Sequence, residues 1–231
     1  MSGCCGPGDD GRYSEAFGQR YAISIARRYR RRGLTRPEQR IVELLSGIGV
    51  EGATVLEVGG GVGQLQLELL ARGAASTVNL ELSDAYEEQA ESLIRRSRDD
   101  GRVTRIVGID LAEAGHYVES ADVVILHRVV CCYPDFERLL GAAADHARRA
   151  LVFSHPPSTW MTRSMVGLGN TWRSVLGRRY RGFVHSPDAM IDVLRRHGMV
   201  VQRRDRAARW RIAAVVREAA PVPRGAAGAT G

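Results

Sequence analysis

The sequence predicts an α/β domain built on a largely parallel sheet, and three observations carry that expectation. The apolar run Thr54–Val58, in which Val55, Leu56 and Val58 suit an inner parallel strand, runs into Gly59, Gly60, Gly61 and Gly63. A helical pattern carried by Leu65, Leu67, Leu69 and Leu70 follows at once. Further short apolar runs at 77–80, Val103–Val107, Ala121–Leu126 and 150–153 recur with helical patterns between them, the alternation of strand-helix units. The length of 231 residues, with 44% hydrophobic content, suffices for one core without disulfides or metal.

The glycine cluster is where chemistry is expected. Lacking a Cβ, Gly59, Gly61 and Gly63 can take positive φ and let the backbone close on a nucleotide. A glycine-rich turn that only joins two elements looks the same, so the glycines alone leave the choice open. The next strand adds the second signal. Thr77-Val78-Asn79-Leu80 ends in Glu81, where a carboxylate can accept both hydroxyls of a ribose. Glu57 and Glu81 thus stand at two strand ends. A dinucleotide fingerprint wants a small residue where Gln64 stands, and Glu57 would repel a pyrophosphate, so a ligand with a cationic end suits the turn better.

The run Leu56-Glu57-Val58-Gly59-Gly60-Gly61-Val62-Gly63 resembles the first motif of the class I S-adenosylmethionine-dependent methyltransferases. The resemblance covers roughly residues 40–215, including the strand-end acids, a Pro-containing loop after the fourth strand and a late pair of strands. It implies S-adenosyl-L-methionine as cofactor. It also implies a Rossmann-like seven-stranded mixed sheet with helices on both faces, an N-terminal helical lid, an insertion after strand five and an antiparallel final pair. Carried onto this chain, cofactor contacts fall to Glu57, Gly59, Gly60, Gly61, Gly63, Gln64, Glu81, Leu82, Asp110, Leu111 and His127. Asp110 would receive the adenine amino group, and it also reads as the cap of the helix after it. The pattern is most similar to small-molecule enzymes near the magnesium-protoporphyrin O-methyltransferases, specifically for the cofactor and loosely for the substrate.

Residues 1–11 read as a disordered tail, 12–216 as the methyltransferase domain, and 217–231 as a second disordered tail. Within the domain, 12–50 supplies N-terminal helices and 155–185 the lid insertion. The pattern over 13–32 is one helix, with Phe17, Tyr21, Ile25 and Tyr29 on a stripe that suits packing better than substrate contact. A helix over 36–45 has Pro37 in its first turn. Ser83 and Asp84 cap a helix over 85–98 that ends at 99–101. Strand four, Ala121–Leu126, leads into His127-Arg128-Val129-Val130-Cys131-Cys132-Tyr133-Pro134-Asp135, a loop beyond the carboxyl end of the sheet that should face the transferred methyl. His127 and Tyr133 are therefore the candidate catalytic residues, for proton handling or substrate positioning, although a lone histidine at a strand end is commonly structural. A helix over 136–149 and a strand over 150–153 come next. The insertion over 158–186 sets Trp160, Met161, Met165 and Trp172 among arginines, suited to a lid over an apolar, acidic substrate or to peripheral membrane contact. Gly167, Gly169 and Gly177 are expected to interrupt a continuous helix there. A helix over 187–197 and strands over 198–201 and 209–216 complete the domain.

Composition narrows the function. The net charge is +7, but there is no lysine and all 33 basic residues are arginine, a bias of codon usage more than a phosphate-binding signature. Without lysine, Schiff-base chemistry is excluded. The loop after strand four lacks the Asn/Asp-Pro-Pro-aromatic signature of base-flipping enzymes, so a nucleic-acid partner is not expected. No apolar run approaches the ~18 residues of a membrane span, and no apolar signal core opens the chain, which points to a cytoplasmic location with reduced thiols. The cysteines form two adjacent pairs without metal-ligand spacing, so no metal site is expected. A sharper possibility is that Cys4-Cys5 folds onto Cys131-Cys132 as a thiolate pocket for a soft metalloid acceptor. The expected reaction is methyl transfer to oxygen on an apolar small molecule. A carboxylate acceptor needs no base, and for a hydroxyl His127 would take the proton. A non-catalytic S-adenosylmethionine-binding protein and a nucleic-acid or metalloid methyltransferase are the alternatives. No signal bears on oligomeric state.

Overall fold

Helices lead the chain in the computed structural model, which describes residues 11–218. They are α1 (Arg12–Ala16), α2 (Gln19–Arg32) and α3 (Arg36–Ile48). The single helix expected over 13–32 is two, because Gly18 is extended at φ −77° and ψ −176° and ends the intrahelical ladder. At α3, Thr35 and Glu38 form a reciprocal capping box with Pro37 in the first turn.

Alternating units follow: β1 (Thr54–Val58), α4 (Gln64–Leu70), β2 (Ser76–Glu81), α5 (Glu87–Ser97), β3 (Val103–Val107), α6 (Leu111–Ala114), β4 (Ala121–Leu126), α7 (Phe136–His146) and β5 (Ala147–His155). The chain then forms α8 (Trp160–Val175), α9 (Pro187–Arg196), β6 (Met199–Ala207) and β7 (Trp210–Arg217). The seven strands make one sheet in the order β3-β2-β1-β4-β5-β7-β6. The first five are parallel, and β7 runs antiparallel between β5 and β6. This is the Rossmann-like mixed sheet expected, with its direction of winding reversing between β1 and β4.

Each inner strand divides its side chains between two cores. Val55, Val123, Ile125 and Val152 pack under Ile41, Leu45, Leu65 and Leu93 from α3, α4 and α5. Leu56, Val124, Leu126 and Leu151 pack on the other face under Leu139, Leu140, Met190 and Leu194 from α7 and α9. Helices on both faces of a parallel sheet are what near-continuous apolar strands require. The ladder fixes Glu57 opposite Asn79 on β2 and Ile125 on β4, next to the switch point.

Several boundaries differ from expectation. The helix expected to 149 stops at His146 and β5 begins at Ala147, which pairs with Ala121. Tertiary partners end the helix there: Arg217 Nη2 donates to Ala144 O at 2.5 Å and Ala147 O at 2.6 Å, bonds that a sequence window cannot see. Arg217 therefore belongs to β7 and not to a tail; the remainder of both expected tails, apart from Gly11 and Glu218, lies outside the described residues. β6 runs on from 201 to Ala207 because β7 pairs with it along Arg203, Arg204, Asp205 and Arg206. Charged side chains without alternation are common on an edge strand, where they discourage further pairing. Helix α8 is continuous across Gly167 and Gly169, with Thr159 Oγ1 accepting from Thr162 N at 3.2 Å and Asn170 bonded to Gly182.

Candidate active site

The turn after β1 is shaped by contacts that leave no room for side chains. Gly59 has φ 63°, and a Cβ on it would lie 2.7 Å from Val129 Cγ2. Gly60 backs onto Asn79, whose Nδ2 would be 2.6 Å from an added Cβ. The Gly61 amide donates to Glu81 Oε2 at 2.9 Å, while Gly61 O accepts from Arg105 Nη2 at 2.9 Å. The backbone is thus pinned between a carboxylate and a guanidinium that itself bonds Glu87. Gly63, the N-cap of α4, faces Gln66 and does not line the cavity in front of the turn.

That cavity measures about 550 Å³. Glu57, Gly59, Gly60, Gly61, Gln64, Glu81, Leu82, Asp110, Leu111, His127 and Tyr133 all line it, so the residues singled out in the sequence come together, Gly63 excepted. Glu57 is 3% exposed, and its Oε2 has no hydrogen-bond partner among the described residues. Burial pushes its carboxyl up to about 8, and the neighbouring Glu38 adds to the shift. Burial also disfavours ionised Glu38, but the Thr35 amide and hydroxyl, the Gln64 amide and the Arg28 guanidinium outweigh it and hold that carboxyl below its ordinary value. Arg28 grips Glu38 with two bonds of 3.2 Å, and Gln64 Nε2 donates to it at 3.0 Å. Arg28 is thus committed to Glu38, and of the cations only Arg105 acts on Glu57, without a hydrogen bond to it, which leaves Glu57 for a ligand.

Glu81, at the end of β2, accepts from Gly61 N and from Ser83 N at 3.2 Å. Burial raises its pKa against the pull of these amides. Each oxygen keeps a further lone pair for a ligand hydroxyl. Asp110 does cap α6, accepting from Ala112 N at 2.9 Å, while its second oxygen accepts from Tyr133 Oη at 2.9 Å. Burial, then Asp110, raises the Tyr133 pKa, so the phenol keeps its proton.

His127 follows β4, with Nδ1 2.9 Å from Ser154 Oγ on β5. Burial lowers its pKa to about 4, so the ring is neutral at pH 7. Arg128 has φ 64°, a left-handed conformation costly for a side-chain-bearing residue, and its guanidinium lies 5.2 Å from the Trp210 ring. Cys131 and Cys132 line the cavity with their sulfurs 3.7 Å apart, and Cys132 Sγ is 3.1 Å from Tyr180 Oη. The pairing with Cys4-Cys5 falls outside the described residues.

Aromatic residues roof the cavity. Phe17, which follows α1, and Tyr21 and Ile25 on α2 pack on the core and also line the cavity, so packing and ligand access are not alternatives. Tyr86, Tyr180 and Trp210 complete the wall. Sequence reasoning missed Arg28, Glu38, Tyr86 and Trp210 as site residues. Only Glu38 carried a signal, its capping-box spacing, and that signal concerns a helix end. The arginines of the insertion, from Arg163 to Arg181, do not line the cavity; Arg28 and Arg128 do. The insertion meets the site through its last residues, where Phe183 N donates to Cys131 O at 2.8 Å and His185 Nε2 lies 3.0 Å from Tyr133 O.

Residues 26–204 match a family model described as a methyltransferase domain. The chain belongs to this methyltransferase family. Among solved structures, the methyltransferase is similar to magnesium protoporphyrin IX methyltransferase from Synechocystis PCC 6803 with bound SAH, at 22% identity and a TM-score of 0.66 over 90% of this chain and 93% of that one. It is also similar to an O-methyltransferase family protein from Burkholderia thailandensis, at 20% identity and a TM-score of 0.68 over 90% of this chain and 64% of that one. A third, at 12% identity, is a putative sarcosine dimethylglycine methyltransferase from Galdieria sulphuraria, with a TM-score of 0.63 over 79% and 86%. At these identities the likeness establishes the fold. No curated protein matches the sequence.

Proposed function

We propose that this methyltransferase uses S-adenosylmethionine to methylate an oxygen of a small apolar molecule, with a carboxylate as the preferred acceptor. The observation that carries the cofactor reading is the unpaired Oε2 of Glu57, a buried acid beside the glycine turn with Glu81 across it. A cationic ligand end would ionise Glu57 and give that oxygen a partner. Glu81 would accept from ribose hydroxyls, and Asp110, oriented by Tyr133, from an adenine amino group.

When bound, the cofactor would supply an electrophilic methyl for the acceptor oxygen, with its own sulfur as the leaving group. The protein's task is then to align acceptor and methyl and to exclude water. The aromatic wall of Phe17, Tyr21, Tyr180 and Trp210 suits an apolar acceptor body. Of the two guanidinium groups in the cavity lining, Arg28 is held by Glu38, and Arg128 is the one fit to orient an anion. With its pKa near 4, His127 is a weak base. This favours an acceptor that arrives ionised, so His127 orients the β4 loop through Ser154 in preference to taking a proton.

The experiment measures S-adenosylhomocysteine release with a panel of apolar carboxylic acids and phenols, for wild type and His127→Ala. Turnover of carboxylates with less than about a tenfold loss in the variant is expected. Phenol-only turnover with a loss of about 10²–10⁴ would make His127 a general base and overturn the carboxylate reading.

A further inference from the structure

Helix α8 turns its apolar side to solvent. Met161, Met165, Leu168, Trp172 and Val175 recur at the spacing of one helical stripe, continued by Leu176, and their exposures run from 53% to 74%. No residue of α8 is buried. The side facing the protein is mostly polar: Thr162, Asn170 and Arg173 are half-buried there, with Val166 against Gly182. Asn170 Nδ2 donates to Gly182 O at 2.8 Å and its Oδ1 accepts from Gly182 N at 2.9 Å, while the Arg173 guanidinium lies 5.4 Å from the Tyr180 ring. The helix is thus held by its polar face with its hydrophobic stripe outward, the reverse of a helix packed on its own core.

The same segment is cationic. Between Asp145 and Asp188 the sequence contains no carboxylate, whereas Arg163, Arg173, Arg178, Arg179 and Arg181 fall within it. Glu15 of α1 faces Arg178 at 3.8 Å, while Arg163, Arg173 and Arg181 have no carboxylate partner among the described residues. A second copy seated on the stripe would bring the same arginines against these. An anionic bilayer satisfies both features, since apolar side chains enter the boundary between headgroups and acyl chains while arginines reach lipid phosphates. Tryptophans suit that boundary, and Trp172 lies in the stripe with Trp160 exposed at the helix start.

We infer that α8 docks this protein onto an anionic membrane surface. Tyr180, under Arg173, lines the cavity, so the docked helix lies on the side of the protein from which an apolar acceptor dissolved in the bilayer would approach. The docking itself needs no turnover, and its test is independent of the methyl-transfer reading.

The full chain is sedimented with vesicles of phosphatidylcholine alone or mixed with phosphatidylglycerol. Binding to the mixed vesicles, weakened by salt, is expected. The double variant Leu168→Glu, Trp172→Glu should bind them at least about tenfold less well, with an unchanged circular dichroism spectrum, because both side chains already stand in water. Wild-type protein that ignores the mixed vesicles, or a double variant that binds as well as wild type, overturns the inference. So does a lipid-free wild type that sediments as a dimer when the variant is a monomer, since the stripe would then cover a second copy. Equal binding to phosphatidylcholine alone overturns the role given to the arginines.

Discussion

In the proposed reading cofactor selectivity turns on Glu57, and the pH behaviour of that residue tests it. The folded protein holds the Glu57 proton up to about pH 8, whereas an exposed glutamate releases it near 4.5. Between those values the folded state binds more protons than the unfolded one, so this group's stability contribution is complete below 4.5 and is lost as pH rises through 8. Against a Glu57→Gln reference, wild type should lose up to about 1.4 kcal/mol per pH unit in that window, measured by urea unfolding. A cationic ligand reverses the shift, so S-adenosylmethionine binding at pH 7 should release a proton, read as a calorimetric enthalpy that depends on the buffer and is absent in Glu57→Gln. Glu81→Ala removes the acceptor opposite and should weaken binding by about 1–3 kcal/mol; unchanged affinity would mean the ribose lies elsewhere. Both acids were legible in the sequence because strand-end position and neighbouring glycines are local features. Arg28 and Trp210 were not, because they reach the cavity from α2 and β7 through tertiary packing alone.

At the scale of elements, the glycine turn and the insertion show what local patterns can and cannot carry. Gly60 has no left-handed φ, so propensity gives no reason for glycine there; the reason is Asn79, fully buried and bonded to Gln66 Oε1 at 3.1 Å. Gly60→Ala should therefore destabilise the protein by about 1–3 kcal/mol, the cost of overpacking a site that cannot give way, and should weaken cofactor binding with it. A thermal melt and titration on the same sample check both. The strands β1 to β5 were readable because apolar runs between turn residues report buried strands directly. The end of α7, the extension of β6 and the continuity of α8 were not, since Arg217, β7 and Gly182 decide them from far along the chain. Gly167 and Gly169 each cost α8 about 1 kcal/mol of intrinsic propensity; the Thr159 cap and the Asn170 clamp offset that cost.

For the whole molecule, the cavity lies over the junction of the two cores. β1 and β4 lie side by side at the switch point, and each sends one set of side chains under α3, α4 and α5 and the other under α7 and α9. A ligand there would touch the turn after β1, the loop after β4, and α2 above them. Binding to the native state alone raises stability by RT ln(1 + [L]/Kd), about 2.7 kcal/mol at a hundredfold excess over Kd. For a domain of this size each kcal/mol moves the midpoint by about 2–4 °C, so saturating S-adenosylhomocysteine should raise Tm by about 5–10 °C. NAD should raise it less, because it brings no ammonium end to ionise Glu57 and give its unpaired oxygen a partner. An equal rise with NAD would show that the cavity selects for adenosine and not for a cationic end, and the assignment of Glu57 would fall while the methyltransferase fold stood.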